Sequence, residues 1–535
     1  MKSTKYLVAI FFMATLIVNH VNSANILVIS FFSSKSHKLT YLPLIEELGK
    51  RGHNITMMTP VEPMKPMKNI KEILSMDLEK VFGDNRFDAF EQKEKGHTMN
   101  PSLMIELITE ICEKSYEQQH VMDILNEKFD LVFLQPLFND CILGLIYRLQ
   151  VPLVLFTPTT VPSFIASKVG ANFPSSITPN FMLGYEQEMN FYERFKNLAV
   201  DMMVEMYMSF LYEPKVEKIY RDKLGQDIPS VSELLANASI VLSNGHFSLS
   251  GPKPYFPDMI DVGGIHSRPA KPIPKDLEDF VSKGKDGFIL FSMGSAIKGH
   301  MMPESKRKMI LNVFSKLKQQ VLWKWETETM PDLPKNVKLS KWLPQQDLLG
   351  HKDIKMFITH CGGGSTEESI YHGVPLVGVN IKYDILPSSI PMLGDQPQNA
   401  QSAKKHGFLV ELSWNDLTEE ALLGAIEEVL KNPVYRDNVK KLSVLFKDRP
   451  KDPLELGVYW VEYVLKHKGA PHLRSAGRKL NVLQYHSADV IAAYVAILVT
   501  TLYLTFALLR LICRKLFCRS KNANKSVANG KKKTI

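Results

Sequence analysis

The sequence predicts an α/β protein of two Rossmann-like domains facing a cleft, followed by one membrane-spanning helix. Apolar strands alternate with helical segments in both halves of the chain, which is the pattern of parallel sheets covered by helices. About 460 residues lie between two apolar end segments, which is too many for a single core. Ligands of such sheets bind at the carboxyl ends of the strands, so function is expected in the cleft.

The first half of the chain has the pattern of a strand–helix–strand unit with two further strands. The predicted strands are 25–32, 55–58, 131–134 and 153–156. A helix is predicted from about Leu42 to Lys50, with a turn at Gly52 after it. These elements assign residues 24–265 to an N-terminal domain.

The second half repeats the alternation of strands and helices. Its predicted strands are 287–292, 320–325, 355–359 and 375–379. A glycine pair at 263–264 and a proline-rich stretch at 269–274 indicate a connection between the halves. We therefore predict a linker at 266–280 and a C-terminal domain at 281–475.

The two ends of the chain predict its topology. The uncharged run from Leu7 to Val18 is shorter than a bilayer and typical of a cleaved signal peptide, here 1–23. Residues 490–509 carry no charge and, at about 1.5 Å per residue, cross the ~30 Å apolar core of a bilayer. The basic tail 510–535 ends in KKTI, a dilysine retrieval pattern. We expect a single-pass type I protein of the endoplasmic reticulum membrane, with a lumenal body.

The charge distribution excludes one class of partner. The net charge of +9 comes from the tail, which holds nine cations and no acid. Without the tail, 56 Lys and Arg balance 56 Asp and Glu, so the body is formally neutral. This excludes the nucleic-acid partner that a basic protein would suggest. Composition does not bear on oligomeric state, and a homo-oligomer stays open.

Cysteine usage predicts neither a disulfide framework nor a metal centre. The body holds Cys112, Cys141 and Cys361, without CxxC or Cys/His spacing. A bridge between Cys112 and Cys141 is left open. Sequons at Asn54 and Asn237 predict a glycoprotein, with Asn237 the better acceptor because Asn54 opens an apolar strand.

One segment carries the main chemical signal. In residues 357–368 an apolar strand ends at His360, three glycines follow, and Ser365 lies at the start of a helix. A helix N-terminus presents unpaired N–H groups and a positive dipole end, to which His360 and Ser365 add donors. The segment therefore predicts a diphosphate-binding cradle. A nicotinamide oxidoreductase is disfavoured because no GxGxxG follows the first strand of either half.

A series of spaced motifs resembles the UDP-glycosyltransferase family in its animal, membrane-bound branch, and looks most like arthropod members. The matching segments are 342–345 (WLPQ), 360–362 (HCG) with Ser365 and Glu368, 371–378 (YHGVPLVG) and 391–397 (PMLGDQP). The resemblance covers the whole chain, including the anchor and the dilysine end. It implies a GT-B fold in which the C-terminal domain holds the UDP-sugar.

The resemblance implies a role for each donor-binding residue. Trp342 offers an aromatic face to uracil, Glu368 accepts hydrogen bonds from the ribose, and Asp395 binds sugar hydroxyls. The full predicted set is Ser292, Gly294, Ser295, Trp342, Gln345, His360, Gly362, Ser365, Glu368, Asp395 and Gln396. No Asp-x-Asp motif occurs in the chain, so we expect no metal and no cofactor besides the co-substrate UDP-sugar. The helix dipole and His360 would stabilise the departing UDP.

The resemblance also places the catalytic base, at His37 in the polar loop 33–37 after the first strand. A neutral imidazole can take the proton of an acceptor hydroxyl as the oxygen attacks the anomeric carbon. Asp140, in the segment FNDC after another strand, is predicted to orient His37 and stabilise the imidazolium. Vertebrate relatives carry their acid earlier in that segment, where Gln135 aligns. The expected reaction converts an α-linked donor to a β-glycoside.

A second departure from the family is an insertion, Asn380 to Ile390, beside the sugar subsite. Either it is a surface bulge, or it reflects a splice variant or faulty gene model with impaired activity. Misplacing the sugar ligands by about 1 Å could cost ~100-fold in rate.

The leading hypothesis is therefore transfer of a sugar from a UDP-sugar to a hydroxyl of a small lipophilic acceptor, as in detoxification. Glucose is favoured over glucuronate because of the likeness to arthropod members and because no arginine is evident to bind a carboxylate. The alternative, motivated by the insertion, is a catalytically silent protein that binds a ligand or a partner.

Overall fold

The computed structural model of the protein describes residues 23–82, 101–295, 298–327, 329–380 and 394–530. The chain divides into two compact units, Met1–Ser475 and Ala476–Ile535. The signal peptide but for its last residue, the insertion after Asn380, the motif residues 391–393 and the dilysine end lie outside the described residues.

The first unit contains two parallel sheets. The seven strands of the first sheet are β1 (Asn25–Ile29), β2 (Asn54–Thr59), β3 (Ile70–Leu74), β4 (Leu131–Leu134), β5 (Leu153–Thr157), β6 (Ile240–Ser243) and β7 (Met259–Asp261). The six strands of the second are β8 (Phe288–Ser292), β9 (Gln320–Lys324), β10 (Val337–Ser340), β11 (Ile354–Thr359), β12 (Leu376–Asn380) and β13 (Leu409–Ser413). Their orders are β3-β2-β1-β4-β5-β6-β7 and β10-β9-β8-β11-β12-β13.

Helices connect these strands. Those of the first half are α1 (Lys35–Lys50), α2 (Leu78–Phe82), α3 (Pro101–Tyr116), α4 (Gln119–Met122), α5 (Leu143–Leu149), α6 (Ser163–Lys168), α7 (Phe191–Tyr207), α8 (Glu213–Leu224), α9 (Val231–Ala236) and α10 (Phe247–Ser250). Those of the second half are α11 (Lys275–Val281), α12 (Glu304–Ser315), α13 (Gln345–Leu349), α14 (Gly363–His372), α15 (Gln396–Lys405), α16 (Glu419–Lys431), α17 (Val434–Lys447) and α18 (Pro453–Lys466).

Each sheet has one place where the strand order reverses. In the first sheet β1 lies between β2 and β4, with Ile29 opposite Leu134. In the second sheet β8 lies between β9 and β11, with Ser292 opposite Thr359. Loops leave in opposite directions at such a point and open a crevice at the carboxyl ends of the strands. The candidate catalytic and donor-binding segments follow these strands.

The core of each sheet lies on both of its faces, as expected of parallel strands. In β1, Leu27 and Ile29 pack into one cluster and Ile26 and Val28 into another, because successive side chains point to opposite faces. The same alternation divides Ile289 and Phe291 from Phe288 and Leu290 in β8. The continuous apolar runs of the sequence therefore become strands buried on both sides.

The first helix begins earlier than the sequence predicted. Its first residue is Lys35 rather than Leu42, because the Ser34 hydroxyl accepts a hydrogen bond from the backbone N–H of His37 and caps the helix. His37 consequently lies in the first turn of α1 and not in a loop. The helix holds its direction, which is a firmer support than a loop for a catalytic side chain.

The last helix of the first unit, α18, belongs by sequence to the predicted C-terminal domain 281–475 but packs on the first sheet. The buried face of α18, with Val458, Val461 and Val464, packs into the same cluster as Ile26 and Val28 of the first sheet. Part of the predicted linker 266–280 is helical. Helix α11 begins at Lys275 and buries Leu277 in the core of the second domain. Apolar spacing identifies a helix, but it does not tell which of two similar sheets the helix covers.

The second unit contains a short helix, α19 (Val482–Tyr485), and one long helix, α20 (Ala488–Gly530). Within α20 the segment Ala488–Phe517 is long and apolar enough to cross a membrane, and none of its most apolar window is buried. It contains the predicted span 490–509. In the first unit, the structure joins Cys112 to Cys141 as a disulfide, the pairing that the sequence left open.

Candidate active site

The two domains meet at the first turn of α1. The hydroxyl of Ser36 contacts the hydroxyl of Ser295, which follows β8 in the second domain. The ammonium of Lys35 lies 3.4 Å from the centroid of the Trp342 ring, also in the second domain. The start of α1 therefore faces the segments that were predicted to hold the donor.

His37 is half-buried and has a neutral partner. Its Nδ1 atom lies 3.0 Å from the side-chain amide nitrogen of Gln135, a buried residue directly after β4. Burial lowers the pKa of His37 to about 4. The imidazole is therefore uncharged at neutral pH, which is the form that a general base requires.

Asp140 does not take the position predicted for it. Phe138 adopts a left-handed backbone conformation, with φ of 56°, and the turn that follows directs Asp140 into the protein core. There Asp140 interacts with Tyr212, Glu213 and Lys168, and burial raises its pKa to about 7. Proximity to the end of a strand does not fix the side to which a loop residue points. Gln135 is the residue that contacts His37.

The sequence interpretation missed the role of the neighbouring Asn139. Its side-chain oxygen accepts hydrogen bonds from the backbone N–H groups of Phe31 (2.7 Å) and Phe32 (2.9 Å). Its side-chain nitrogen donates to the Phe32 carbonyl at 2.8 Å. Asn139 thus ties the loop after β4 to the loop after β1, and it fixes the distance between Gln135 and His37.

The segment predicted to form the cradle lies at the N-terminus of α14. This helix begins at Gly363, and His360 precedes it at the end of β11. The His360 ring lies between Gly294 and Gly362, where a Cβ atom would come within 2.5 Å and 2.7 Å of ring atoms, respectively. Burial lowers the pKa of His360 to about 4, so the ring is a neutral donor beside the free N–H groups of the helix.

We predict that Gly294→Ala weakens donor binding. A methyl group there would displace His360, and the φ of +83° at Gly294 is strained for any side chain. The KM for the UDP-sugar should rise about 10- to 100-fold, which corresponds to roughly 1–3 kcal/mol. Gly424→Ala is the matched control, because nothing lies within 4 Å of a Cβ there. A KM equal to that of the control would contradict the placement of His360.

Three predicted donor ligands converge beside the cradle. The Gln345 amide nitrogen donates to the Ser365 hydroxyl at 2.9 Å and to a Glu368 oxygen at 2.7 Å. Burial raises the pKa of Glu368 to about 7. Trp342 remains 45% exposed, so part of its indole surface is open for stacking against a base. The structure therefore brings these residues together as the motif order implied.

The remaining predicted donor ligands follow β8 and precede α15. The Ser292 hydroxyl accepts the backbone N–H of Gly294 at 3.2 Å, which closes the turn that leads to Ser295. Asp395 is the residue before α15, and its carboxyl lies where a Cβ on Gly363 would meet it at 2.7 Å. Burial raises the pKa of Asp395. Gln396, the first residue of α15, lies beside Gly394, while its neighbours 391–393 are outside the described residues.

A second residue that the sequence interpretation missed joins the domains. A Glu367 side-chain oxygen on α14 accepts hydrogen bonds from the Asn244 side chain (2.9 Å) and the Gly264 backbone (3.1 Å). Both partners belong to the N-terminal domain. Burial raises the pKa of Glu367 to about 8. The family motif pointed only to Glu368. Glu367 was missed because its partners lie far away in the sequence, in the other domain, and leave no pattern around Glu367 itself.

Metal ligands do not gather at this site. Across the described ranges, no group of three or more His, Cys, Asp or Glu could hold a metal ion. The expectation of a reaction without a metal or cofactor stays a prediction.

Two facing parallel sheets, each with a strand-order reversal near the candidate site, make up the GT-B fold. Solved structures with this fold include UDP-glucose: anthocyanidin 3-O-glucosyltransferase in complex with UDP (TM-score 0.54, 15% identity, 83% of this chain and 99% of that chain). Another is CalG4, the calicheamicin glycosyltransferase (TM-score 0.53, 16% identity, 83% and 99%). These likenesses show the fold.

Residues 24–523 match the family model "UDP-glucoronosyl and UDP-glucosyl transferase", and the chain belongs to this family. It is 32% identical over 513 residues to UDP-glycosyltransferase UGT5 of Dactylopius coccus, covering 94% of this chain and 95% of the relative. It is also 32% identical over 518 residues to UDP-glucuronosyltransferase 2A3 of Mus musculus, covering 93% and 94%. The protein is thus an enzyme that transfers a sugar from a UDP-sugar to an acceptor.

Proposed function

We propose that the enzyme transfers glucose from UDP-glucose, with inversion, to a hydroxyl group of a small lipophilic acceptor, and that His37 is the general base. One observation carries this proposal. The first turn of α1, which holds His37, contacts the donor-side loop through Ser36 and Ser295. The base and the donor cradle therefore face each other across the cleft, as a direct displacement requires.

The proposed step uses both nitrogens of His37. The acceptor oxygen attacks the anomeric carbon, the bond from that carbon to UDP breaks, and the acceptor proton moves to Nε2. Nε2 can accept this proton only if the ring proton lies on Nδ1. An amide offers a donor and an acceptor, so a half-turn of the Gln135 amide presents its oxygen to Nδ1–H and selects this tautomer.

Departing UDP gains negative charge, which the second domain is arranged to receive. The free N–H groups at the start of α14 and the neutral His360 ring would donate hydrogen bonds to the diphosphate. Gln345 and Glu368 are the proposed ligands of the nucleoside. Asp395 is the proposed ligand of sugar hydroxyls.

We also propose that the enzyme is anchored in the endoplasmic reticulum membrane as a type I protein. The apolar segment Ala488–Phe517 supports the anchor. The basic residues that follow this segment support the orientation. Protease protection of the body in sealed microsomes, with the tail accessible, is the expected result, and digestion of the body would contradict it.

The test of the donor is release of UDP by the purified full-length protein with a panel of hydroxylated aromatic and aliphatic acceptors. We expect turnover with UDP-glucose at a rate at least about tenfold above that with UDP-glucuronate. Each tenfold preference corresponds to about 1.4 kcal/mol in the transition state. A preference for UDP-glucuronate would overturn the choice of glucose and leave the transferase assignment intact.

We predict that kcat/KM stays high down to an unusually low pH. The base acts only when neutral, and burial lowers the pKa of His37 from 6.5 to about 4. The kcat/KM for the acceptor, at saturating UDP-glucose, should therefore fall only as the pH drops towards about 4. Saturation with donor keeps Glu368, which has a raised pKa of about 7, from entering the profile. An acid limb centred near pH 6.5 would contradict the burial of His37.

A catalytically silent protein is the second candidate. The pairing of His37 with an amide favours it, because an amide does not stabilise the imidazolium as a carboxylate does. Binding of UDP without turnover, both by this chain and by a form lacking Asn380 to Ile390, would support it. Turnover restored by that deletion would instead show an enzyme impaired by its insertion.

A further inference from the structure

The partner of the proposed base has consequences for acceptor choice. Gln135 is buried and lies 3.0 Å from His37 Nδ1, and its side chain is neutral whichever way the amide is turned. Two acids on neighbouring elements, Asp140 and Glu72, are engaged with other residues. Asp140 interacts with Tyr212, Glu213 and Lys168. Glu72 forms an ion pair with Lys38 at 2.9 Å.

Proton transfer to such a histidine creates a buried charge that its orienting residue does not compensate. Transfer to Nε2 converts the ring to an imidazolium, and burial penalises the charged form. Carboxylate partners offset this penalty in comparable catalytic sites, whereas an amide offers only a dipole. The base is therefore weak, and the reaction depends more strongly on how readily the acceptor releases its proton.

Two aromatic side chains lie in the loops that follow β1 and β4, the strands that precede His37 and Gln135. Phe32 follows β1 and Phe138 follows β4, and their rings meet edge to face at a centroid distance of 6.0 Å. Both are partly buried against the core. Asn139, which binds the backbone of Phe32, holds the two loops together. A planar aryl acceptor would find matching surfaces there, since aromatic rings favour edge and offset contacts.

From this arrangement we infer that Gln135 is a specificity-determining positioning residue, which restricts the enzyme to acidic aryl or enol hydroxyls and disfavours alkyl alcohols. The inference rests on the proposed role of His37. Phenols ionise at about pH 10, whereas water, a guide to alkyl hydroxyls, ionises at about 15.7. In the step itself the acceptor oxygen bonds to the sugar carbon, UDP leaves with the electron pair, and the acceptor proton goes to His37 Nε2. No oxidant, metal or further reactant enters.

The test compares acceptors of similar size and different acidity, using the full-length protein and UDP-glucose. With 4-nitrophenol, phenol, benzyl alcohol and cyclohexanol, we expect kcat/KM to fall in that order, by at least about 100-fold from phenol to benzyl alcohol. Gln135→Glu supplies a carboxylate. It should raise kcat/KM for benzyl alcohol, so that the ratio of kcat/KM for phenol to that for benzyl alcohol falls at least about tenfold. Gln226→Glu, the same change at an exposed position, should leave the ratio unchanged.

The outcomes separate this inference from the proposed function. Equal kcat/KM for phenol and benzyl alcohol in the unmodified enzyme would overturn the inference and leave the transferase function standing. An unchanged ratio in folded Gln135→Glu would overturn the role of Gln135. If that variant does not fold, the test uses the unmodified enzyme and Gln135→Met. The unmodified enzyme should keep its preference for phenol, and kcat/KM for every acceptor should fall in Gln135→Met. UDP binding without turnover of any acceptor would overturn both proposals.

Discussion

His37→Ala should lower kcat about 10²- to 10⁴-fold while UDP binding stays unchanged. This is the range that a positioned general base contributes. The acceptor would still be bound opposite the donor, but its proton would have to pass to water. Steady-state release of UDP measures the loss, and isothermal titration with UDP measures binding. The donor ligands lie on the second domain, so their affinity should survive the change.

His467→Ala is the control, because that residue is exposed at the end of α18. It should leave both kcat and UDP affinity within twofold of the unmodified enzyme. If His37→Ala kept more than about a tenth of the activity, His37 would not be the base. A fall in UDP affinity alongside kcat would instead indicate that the contact between Ser36 and Ser295 is lost with the histidine.

Glu72→Ala should strongly lower the free energy of unfolding of the first domain. Glu72, on β3, pairs with Lys38 on α1 at 2.9 Å, and the two side chains are only 9% and 1% exposed. Removing the acid leaves the buried ammonium of Lys38 without its ion-pair partner, which costs about 3–5 kcal/mol. Carbonyls of Val61 (3.2 Å) and Glu62 (3.4 Å) would still bind the ammonium and bring the loss towards the lower figure. The apparent midpoint of thermal unfolding in detergent, at a fixed scan rate, measures it.

Two comparisons show whether the stranded charge is the cause. Asp222→Ala removes an acid from the exposed pair with Lys218 and should leave the midpoint unchanged. The double change Glu72→Met with Lys38→Met removes both charges, and it should recover most of the loss, because apolar pairs of similar volume replace buried ion pairs with little cost. A midpoint for Glu72→Ala equal to that of Asp222→Ala would show that Lys38 is not desolvated.

The sequence predicted the two sheets well because their central strands are continuous apolar runs, which only burial on both faces explains. It missed five strands, β3, β6, β7, β10 and β13. In β3 and β10, Lys or Glu stands between the apolar residues, which resembles exposed chain. It assigned His37, the proposed base, to a loop, whereas His37 lies in the first turn of α1, since the cap by Ser34 was not considered. The strand-like signals are local, and burial alone produces them.

The candidate site could be predicted only where its residues are adjacent in the chain. The cradle from His360 to Glu368 is one strand–helix turn, so its geometry follows from local structure. The partner of His37 depends on how a loop a hundred residues away turns, and the left-handed Phe138 decides that turn. Asp140 is directed into the core by this turn, where it interacts with Tyr212, Glu213 and Lys168. Glu367 was missed because its partners, Asn244 and Gly264, lie in the other domain.

The return of α18 to the first sheet sets an order for biosynthesis. Val458, Val461 and Val464 cover a face of the sheet that begins with β1, and Arg51 pairs with Glu455 across the same contact. During translation, one apolar face of the first sheet therefore stays uncovered until α18, near the end of the carboxyl-terminal half, has been made. A chain that terminates before Pro453 would leave that face without its cover and should be retained by chaperones, even though its donor-binding segments are complete.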